Sequence, residues 1–181
     1  MIKKYLKQDP SVIDDVKDLY LSAFPEDERP PWFFIYDNNM KTKEDEIIAY
    51  YEGDEFIGFT FLTSYQDIVY LSFFAIKEDK RNQGYGSLLL EELKELYKDK
   101  VLLICFEEVN KKYEDYPNRL RRENFYKRHG FIDNEMLTNE AGVIYQSSYI
   151  GKHKVSFQEY IKIFDLVYGK GTSDTYLREV K

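Results

Sequence analysis

The residues from Arg81 to Leu90 read Arg-Asn-Gln-Gly-Tyr-Gly-Ser-Leu-Leu-Leu. They follow the apolar run Ile68–Ile76 and open a helix-like segment, Gly84–Lys98. A strand that ends in a glycine-punctuated turn and feeds a helix N-terminus makes a seat for an anion. The N–H groups of a first helical turn have no partner within the helix, and the helix dipole adds positive potential there. Gly84 and Gly86 would let a diphosphate lie against bare backbone. The same spacing also describes a strand–turn–helix corner that binds nothing, because short glycine motifs recur by chance.

The elements that must position this turn are legible on either side of it. Ile2–Leu6 reads as a short strand. Val12, Ile13, Val16, Leu19 and Tyr20 fall at helical spacing behind Ser11, and that helix stops before Pro25. After the break Pro25–Pro31 comes the aromatic run Trp32–Tyr36. Ile47–Tyr51 and Phe56–Thr63 read as strands joined by the turn Glu52–Glu55. Ile68–Ile76 is nearly continuously apolar, as a strand buried on both faces is. Leu89, Leu93 and Leu96 share one face of the next helix, and Val101–Phe106 is the next central strand. A polar loop, Asn110–Asn118, leads into a helix over Arg119–His129 that Gly130 ends. Phe131–Leu137 and Val143–Ile150 form a hairpin around Asn139–Gly142. Ser156 and Glu159 make a capping box for a last helix, closed by Gly169 and Gly171. Ile68–Ile76 and Val101–Phe106 flank a crossover helix, so they run parallel, whereas short turns elsewhere join antiparallel strands. The pattern predicts an α+β fold: a mixed, mostly antiparallel sheet with a central parallel strand pair flanked by helices.

A chain of 181 residues, 43% apolar and 17% aromatic, suffices for one domain with a sizeable core. The net charge of −7 argues against a nucleic-acid partner and suits a cationic substrate. No stretch approaches the roughly 20 apolar residues of a membrane span, and the N-terminus lacks the apolar region of a secretion signal. Cys105, the single cysteine, has no partner for an internal disulfide and reads as a buried strand residue rather than a nucleophile. These features fit the cytoplasm. His129 and His153 are the only histidines, no metal-ligand spacing surrounds them, and His129 suits the C-terminal end of its helix. There is no Gly-x-x-x-x-Gly-Lys-Ser/Thr phosphate loop and no third glycine of a dinucleotide fold.

Two separated motifs then coincide: Arg81-x-x-Gly84-x-Gly86, and Tyr126-x-x-x-Gly130-Phe131, with a strand between them. In this order and at this distance they closely resemble the GCN5-related N-acetyltransferase (GNAT) superfamily, over roughly Ile2–Ile150. The resemblance implies a GNAT-like domain over 1–150 with a C-terminal helical appendage, 151–181, packed on the same domain. It implies that Arg81 and the amides of Gln83, Gly84, Tyr85, Gly86 and Ser87 hold the pyrophosphate of acetyl-CoA. It implies that backbone groups of Phe74, Ala75 and Ile76 pair with the pantetheine arm, and that an N–H there polarises the thioester carbonyl. Tyr126 matches the tyrosine that protonates the departing thiolate, which a phenol of pKa about 10 can do. Where many relatives carry a cofactor-contacting Asn seven residues before this tyrosine, the chain has Arg119, and the resemblance implies Asn118, one position earlier, as the cofactor-binding residue instead. The helix is basic instead, through Arg119, Arg121, Arg122, Lys127 and Arg128. These side chains either form a solvated face or meet the 3′-phosphate of CoA.

An acceptor amine of pKa about 10 is almost wholly ammonium at neutral pH and must lose a proton before it attacks. Glu107 and Glu108 end the second central strand, where their side chains point to opposite faces. Glu107 shares its parity with Cys105 and Leu103 and is the favoured base, with Glu108 as the other candidate. Glu26–Arg29 and Trp32–Tyr36 could frame a cationic acceptor or be a surface turn and a core patch. The expected activity is transfer of an acetyl group from acetyl-CoA to a primary amine by direct attack. The acceptor would be a small molecule or a peptide, with no metal, nucleic acid or membrane involved, and the enzyme a monomer or homodimer. The alternative is a non-catalytic CoA-binding sensor or interaction module of the same fold.

Overall fold

The computed structural model describes residues 1–26 and 29–180. In chain order the strands and helices are β1 (Ile2–Tyr5), α1 (Ile13–Ala23), α2 (Trp32–Lys41), β2 (Asp45–Glu52), β3 (Glu55–Tyr65), β4 (Ile68–Ile76), α3 (Tyr85–Leu96), β5 (Val101–Glu107), α4 (Tyr116–Arg128), β6 (Ile132–Glu140), β7 (Val143–Ile150), α5 (Phe157–Tyr168), α6 (Thr172–Tyr176) and β8 (Leu177–Val180). The sheet order is β1-β2-β3-β4-β5-β7-β6-β8, mostly antiparallel, with β4 and β5 as a parallel pair. This is the mixed architecture the strand and turn pattern predicts. The chain divides into two compact units: Met1–Ser64 with Leu71–Leu90, and Tyr65–Tyr70 with everything from Glu91 onward.

In the first unit β1 pairs with β2 and β2 with β3, all antiparallel, and Glu52 and Glu55 close the turn between the last two. Asp9 caps the short helical turn ahead of α1, its carboxylate accepting from the Ser11 N–H at 3.2 Å. Tyr20 is fully buried, with its ring 5.6 Å from Trp32 and 5.1 Å from Phe73. Its hydroxyl donates to the Pro30 carbonyl at 2.7 Å, so this core tyrosine leaves no polar atom unpaired. The aromatic run is therefore the first half of α2. Trp32 joins the Tyr20 cluster, Ile35 is buried and Phe33 stands 69% exposed. Asp27 and Glu28 of the acidic loop lie outside the described residues.

In the second unit β5 pairs with β7, β7 with β6, and β6 with β8. The Val101 N–H donates to the Asp67 carbonyl at 2.8 Å, joining the start of β5 to the turn before β4. The β6–β7 turn is two residues, Ala141 and Gly142, both at positive φ, as a type I′ hairpin needs. The capping box forms as read: Glu159 N–H donates to Ser156 Oγ at 3.3 Å and Ser156 N–H to Glu159 Oε2 at 2.8 Å.

Three details differ from the sequence pattern. The fourth helix starts at Tyr116 rather than Arg119, because Pro117 falls in the first turn, where its missing N–H costs nothing. Leu96 is 46% exposed while Leu89 and Leu93 are buried, since it is the last residue of its helix. The chain also continues past Gly171 into α6 and a strand, β8, which pairs with β6 from Leu177↔Glu140 to Val180↔Leu137.

Candidate active site

In the first unit the end of β4 runs into the glycine turn. Gly58 of β3 lies against Ala75 and Ile76; a β-carbon there would fall 2.3 Å from the Ala75 carbonyl oxygen, so only glycine permits the approach. Lys77 N–H donates to the Ile57 carbonyl at 2.9 Å and ends the pairing. Arg81 Nε then folds back to the Ile76 carbonyl at 3.2 Å, and Gln83 Nε2 donates to the Asp79 carbonyl at 2.7 Å. Asn82 and Gly84 take positive φ, 61° and 88°. Leu88 N–H donates to the Gly84 carbonyl at 3.0 Å, so the amides of the first helical turn, at Tyr85 and Gly86, precede the intrahelical ladder. A β-carbon on Gly84 would meet nothing within 4 Å. Glycine serves there for its backbone angle and leaves open space at the helix N-terminus. A diphosphate fits this donor set, because Arg81 and Gln83 fold back onto the turn's own carbonyls and the positive end of the α3 dipole lies at the turn. Phe74, Ala75, Ile76, Arg81, Gln83, Gly84, Tyr85, Gly86 and Ser87 therefore lie along one strand–turn–helix corner.

In the second unit Tyr126 sits on α4 with its ring 5.5 Å from Phe106 of β5 and 5.5 Å from Phe131. The second motif has a local structural meaning. Phe131 N–H donates to the Tyr126 carbonyl at 3.2 Å and Gly130 N–H to the Lys127 carbonyl at 3.0 Å. With Gly130 at φ 89°, these bonds make a Schellman cap, and the Tyr126–Phe131 contact is its usual apolar seal. The cap fixes where Tyr126 stands relative to β5. Burial pushes its hydroxyl up to about 12, Arg122 opposing and Glu107 reinforcing the shift, so it is fully protonated at neutral pH.

The two glutamates at the end of β5 have different surroundings. Cys105 lies beside Tyr70 and Tyr160, and burial pushes its thiol far above the ordinary value, which suits the inert strand residue expected. Phe106 turns the other way, onto Tyr126. Glu107 shares the parity of Cys105, yet its carboxylate is bonded by the Arg122 guanidinium of α4. It is 7% exposed, and Arg122 and Glu107 both act on the Tyr126 hydroxyl. Glu108 turns into the following loop. Lys112 Nζ lies 2.7 Å away, Tyr113 OH 3.0 Å and Asn110 Nδ2 3.2 Å, and Lys112 above all holds its carboxyl below the usual range. Glu107 and Tyr126 thus share one neighbourhood, from which Glu108 is diverted.

Asn118 is exposed on the first turn of α4, its N–H donating to Asp115 O at 2.9 Å. The neighbouring Arg119 is structural: Nε meets both Asp115 oxygens at 2.8 and 2.9 Å, Nη1 donates to the Glu108 carbonyl at 3.2 Å, and the guanidinium covers the Tyr113 ring at 4.1 Å. The sequence reading places Arg122 among five basic residues of this helix, as a solvated or 3′-phosphate-binding group, and does not anticipate its pairing with Glu107. The place of Arg122 four before Tyr126, on the same helical face, is the signal that could have found it. Among the described residues no group of three or more His, Cys, Asp and Glu side chains could hold a metal ion, and no helix is long and apolar enough to cross a membrane.

A sequence model of the acetyltransferase (GNAT) family matches residues 13–131, a span that holds both motifs. The chain belongs to the GNAT family. Solved structures agree in fold. A GNAT-family protein from Bacteroides thetaiotaomicron is 21% identical, covers 93% of this chain and 99% of its own, and superposes with a TM-score of 0.77. An aminoglycoside 6′-N-acetyltransferase solved with coenzyme A is 16% identical over 83% of this chain and 96% of its own, with a TM-score of 0.65. A Bacillus subtilis acetyltransferase solved with CoA is 17% identical over 77% and 93%, with a TM-score of 0.55. No curated protein matches the chain. At these identities the likeness is one of fold, and the GNAT assignment rests on the family match.

Proposed function

We propose that this GNAT protein is an acetyl-CoA-dependent N-acetyltransferase acting on a primary amine. The observation that carries the reading is the corner at Gly84, where Arg81 and Gln83 fold back onto backbone carbonyls and a β-carbon on Gly84, at the start of α3, would meet only open space. Acetyl-CoA supplies the activated acetyl thioester. The first-turn amides hold its pyrophosphate, and backbone groups of Phe74–Ile76 align the pantetheine arm and polarise the carbonyl. A neutral amine forms the new C–N bond at that carbonyl, and the C–S bond then breaks. Tyr126 gives its phenolic proton to the leaving thiolate and is reprotonated from solvent. The proton shed by the amine goes to Glu107, directly or through water. Glu108 is set aside because Lys112, Tyr113 and Asn110 hold it in the following loop, Lys112 above all keeping its carboxyl below the usual range.

The acceptor is a small-molecule or peptide amine. The likeness in fold to an aminoglycoside 6′-N-acetyltransferase supports testing aminoglycosides beside polyamines, amino acids and peptides. We assign the transferase domain to 1–150, with 151–181 as an appendage on it, and the cytoplasm as its place. The Arg122–Glu107 pairing favours one second reading, a CoA-binding module without turnover. The deciding measurement is CoA release from acetyl-CoA across the amine panel. Steady turnover with any amine, dependent on Tyr126, supports the transferase. Tight CoA binding with no turnover across the panel supports the module.

A further inference from the structure

The turn between β2 and β3 reaches the cofactor corner and is tied to it twice. The Tyr85 hydroxyl, on the first residue of α3, donates to Glu52. Lys80 Nζ lies 2.6 Å from Glu55 Oε1, and its side chain is largely buried. Glu52 and Glu55 are the two ends of one tight turn, register partners on either side of Gly53-Asp54. Their strands are eight and eleven residues long and buried for nearly their whole length. The turn is therefore a stiff projection, held at one corner by each end of the segment Lys80–Tyr85. Both contacts hold at neutral pH. Glu52 raises the Tyr85 hydroxyl above its ordinary value, and Glu55 does the same for the Lys80 ammonium.

We propose that the β2–β3 turn braces the cofactor seat, with the side chains of Tyr85 and Glu52 as positioning residues for the amides at the start of α3. The inference rests on the proposed CoA-binding role of that seat. Its physical basis is preorganisation. A row of amides binds a diphosphate well only if it is already aligned, because ordering it on binding costs affinity. Two glycines make the turn bindable but leave it loose. A hydrogen bond from the first helical residue to a rigid hairpin removes that looseness. Glu52 is also a negative charge beside an anion site, and by charge alone it should weaken binding.

This conflict makes the test sharp. CoA affinity would be measured by calorimetry for Tyr85→Phe, Glu52→Leu, Glu52→Gln and the Tyr85→Phe/Glu52→Leu pair. The brace predicts that Tyr85→Phe and Glu52→Leu each weaken binding by about 3- to 10-fold, the scale of one hydrogen bond. The pair should weaken it no more than either alone, because one bond is lost once. Glu52→Gln keeps an acceptor and should stay within about twofold of wild type. In turnover the change should raise KM for acetyl-CoA more than it lowers kcat. A purely electrostatic Glu52 predicts tighter binding in both Glu52 variants and no effect of Tyr85→Phe, which overturns the brace. A lower melting temperature with unchanged CoA affinity overturns it as well. Amide exchange at residues 83–87 of the ligand-free protein reads the brace without the cofactor. It should quicken in Tyr85→Phe and Glu52→Leu but not in Glu52→Gln, and unchanged rates overturn the proposal. Wild-type protein that binds no CoA would instead overturn the proposed function, with the exchange rates still deciding the brace.

Discussion

At the scale of the residue, Tyr126 does two separable things. Its ring and backbone carbonyl belong to the helix cap, through Phe131 and the Phe131 N–H. In the proposed mechanism only its hydroxyl takes part in the chemistry. Tyr126→Phe keeps the ring and removes the acid, so we expect an unchanged melting temperature, acetyl-CoA affinity near wild type and turnover lower by about 10²-fold. Stopped-flow release of CoA checks this, and unchanged single-turnover rates would make Tyr126 a packing residue. The glutamates separate in the same way. Glu107→Gln should flatten the acidic limb of the rate–pH profile with little change in CoA affinity. Glu108→Gln should leave the limb in place, because Glu108 is already committed to Lys112, Tyr113 and Asn110. An acidic limb untouched by Glu107→Gln removes Glu107 from the mechanism.

At the scale of the element, both glycine motifs are helix ends with opposite tasks. The start of α3 offers amides, and Gly84 supplies the positive φ with which the turn enters the helix. Gly84→Asp and Gly86→Asp put a carboxylate beside the proposed diphosphate site; calorimetry should show CoA binding lost while circular dichroism shows the fold kept. The end of α4 consumes its carbonyls in a Schellman cap, and Gly130 supplies that angle, at φ 89°. Gly130→Ala should cost about 1 kcal/mol, read as a lower urea midpoint, because alanine is strained at positive φ. A third element joint titrates. His153 Nδ1 donates to the Lys154 carbonyl at 2.9 Å and Nε2 to Asp67 at 3.1 Å, tying the loop after β7 to the turn before β4. Lys154 first and Asp67 second raise its pKa above the ordinary 6.5. The stabilisation is therefore full below that ordinary value and fades as pH rises through the raised one. The stability gap between wild type and His153→Gln should be widest near pH 5 and close towards pH 8, and it should be small because both groups are solvated.

At the scale of the whole molecule, a net charge of −7 sets a long-range field that attracts cations. If the acceptor is a polyamine or another multiply charged amine, its KM should rise steeply with salt, since the Debye length shrinks from about 10 Å at 0.1 M to about 3 Å at 1 M. The KM of a singly charged amine should move much less. Comparing the two acceptors along one salt series checks this, and equal slopes would show that the field plays no part in capture.

What the sequence determined by itself is what neighbours along the chain decide. The glycine corner, the Ser156–Glu159 box, the hairpin around Asn139–Gly142 and the stop at Gly130 each close within a few residues. Residue type alone specifies such contacts, through positive φ, an unpaired N–H or a short side chain that accepts from the backbone. The parallel pair was legible for a related reason, because a helix between two apolar strands leaves few other topologies. The tertiary structure alone decided the rest. Leu177–Val180 is too short to declare a partner, and it became a strand because β6 offered an open edge. Strand parity placed Glu107 with Cys105, but at a strand end the long side chain turns to whatever charge lies within reach, and α4 presents Arg122. Tyr85 lies between two glycines, so its backbone was readable at once. The use of its hydroxyl depended on a turn more than thirty residues away, brought into range only by the packing of β2 and β3.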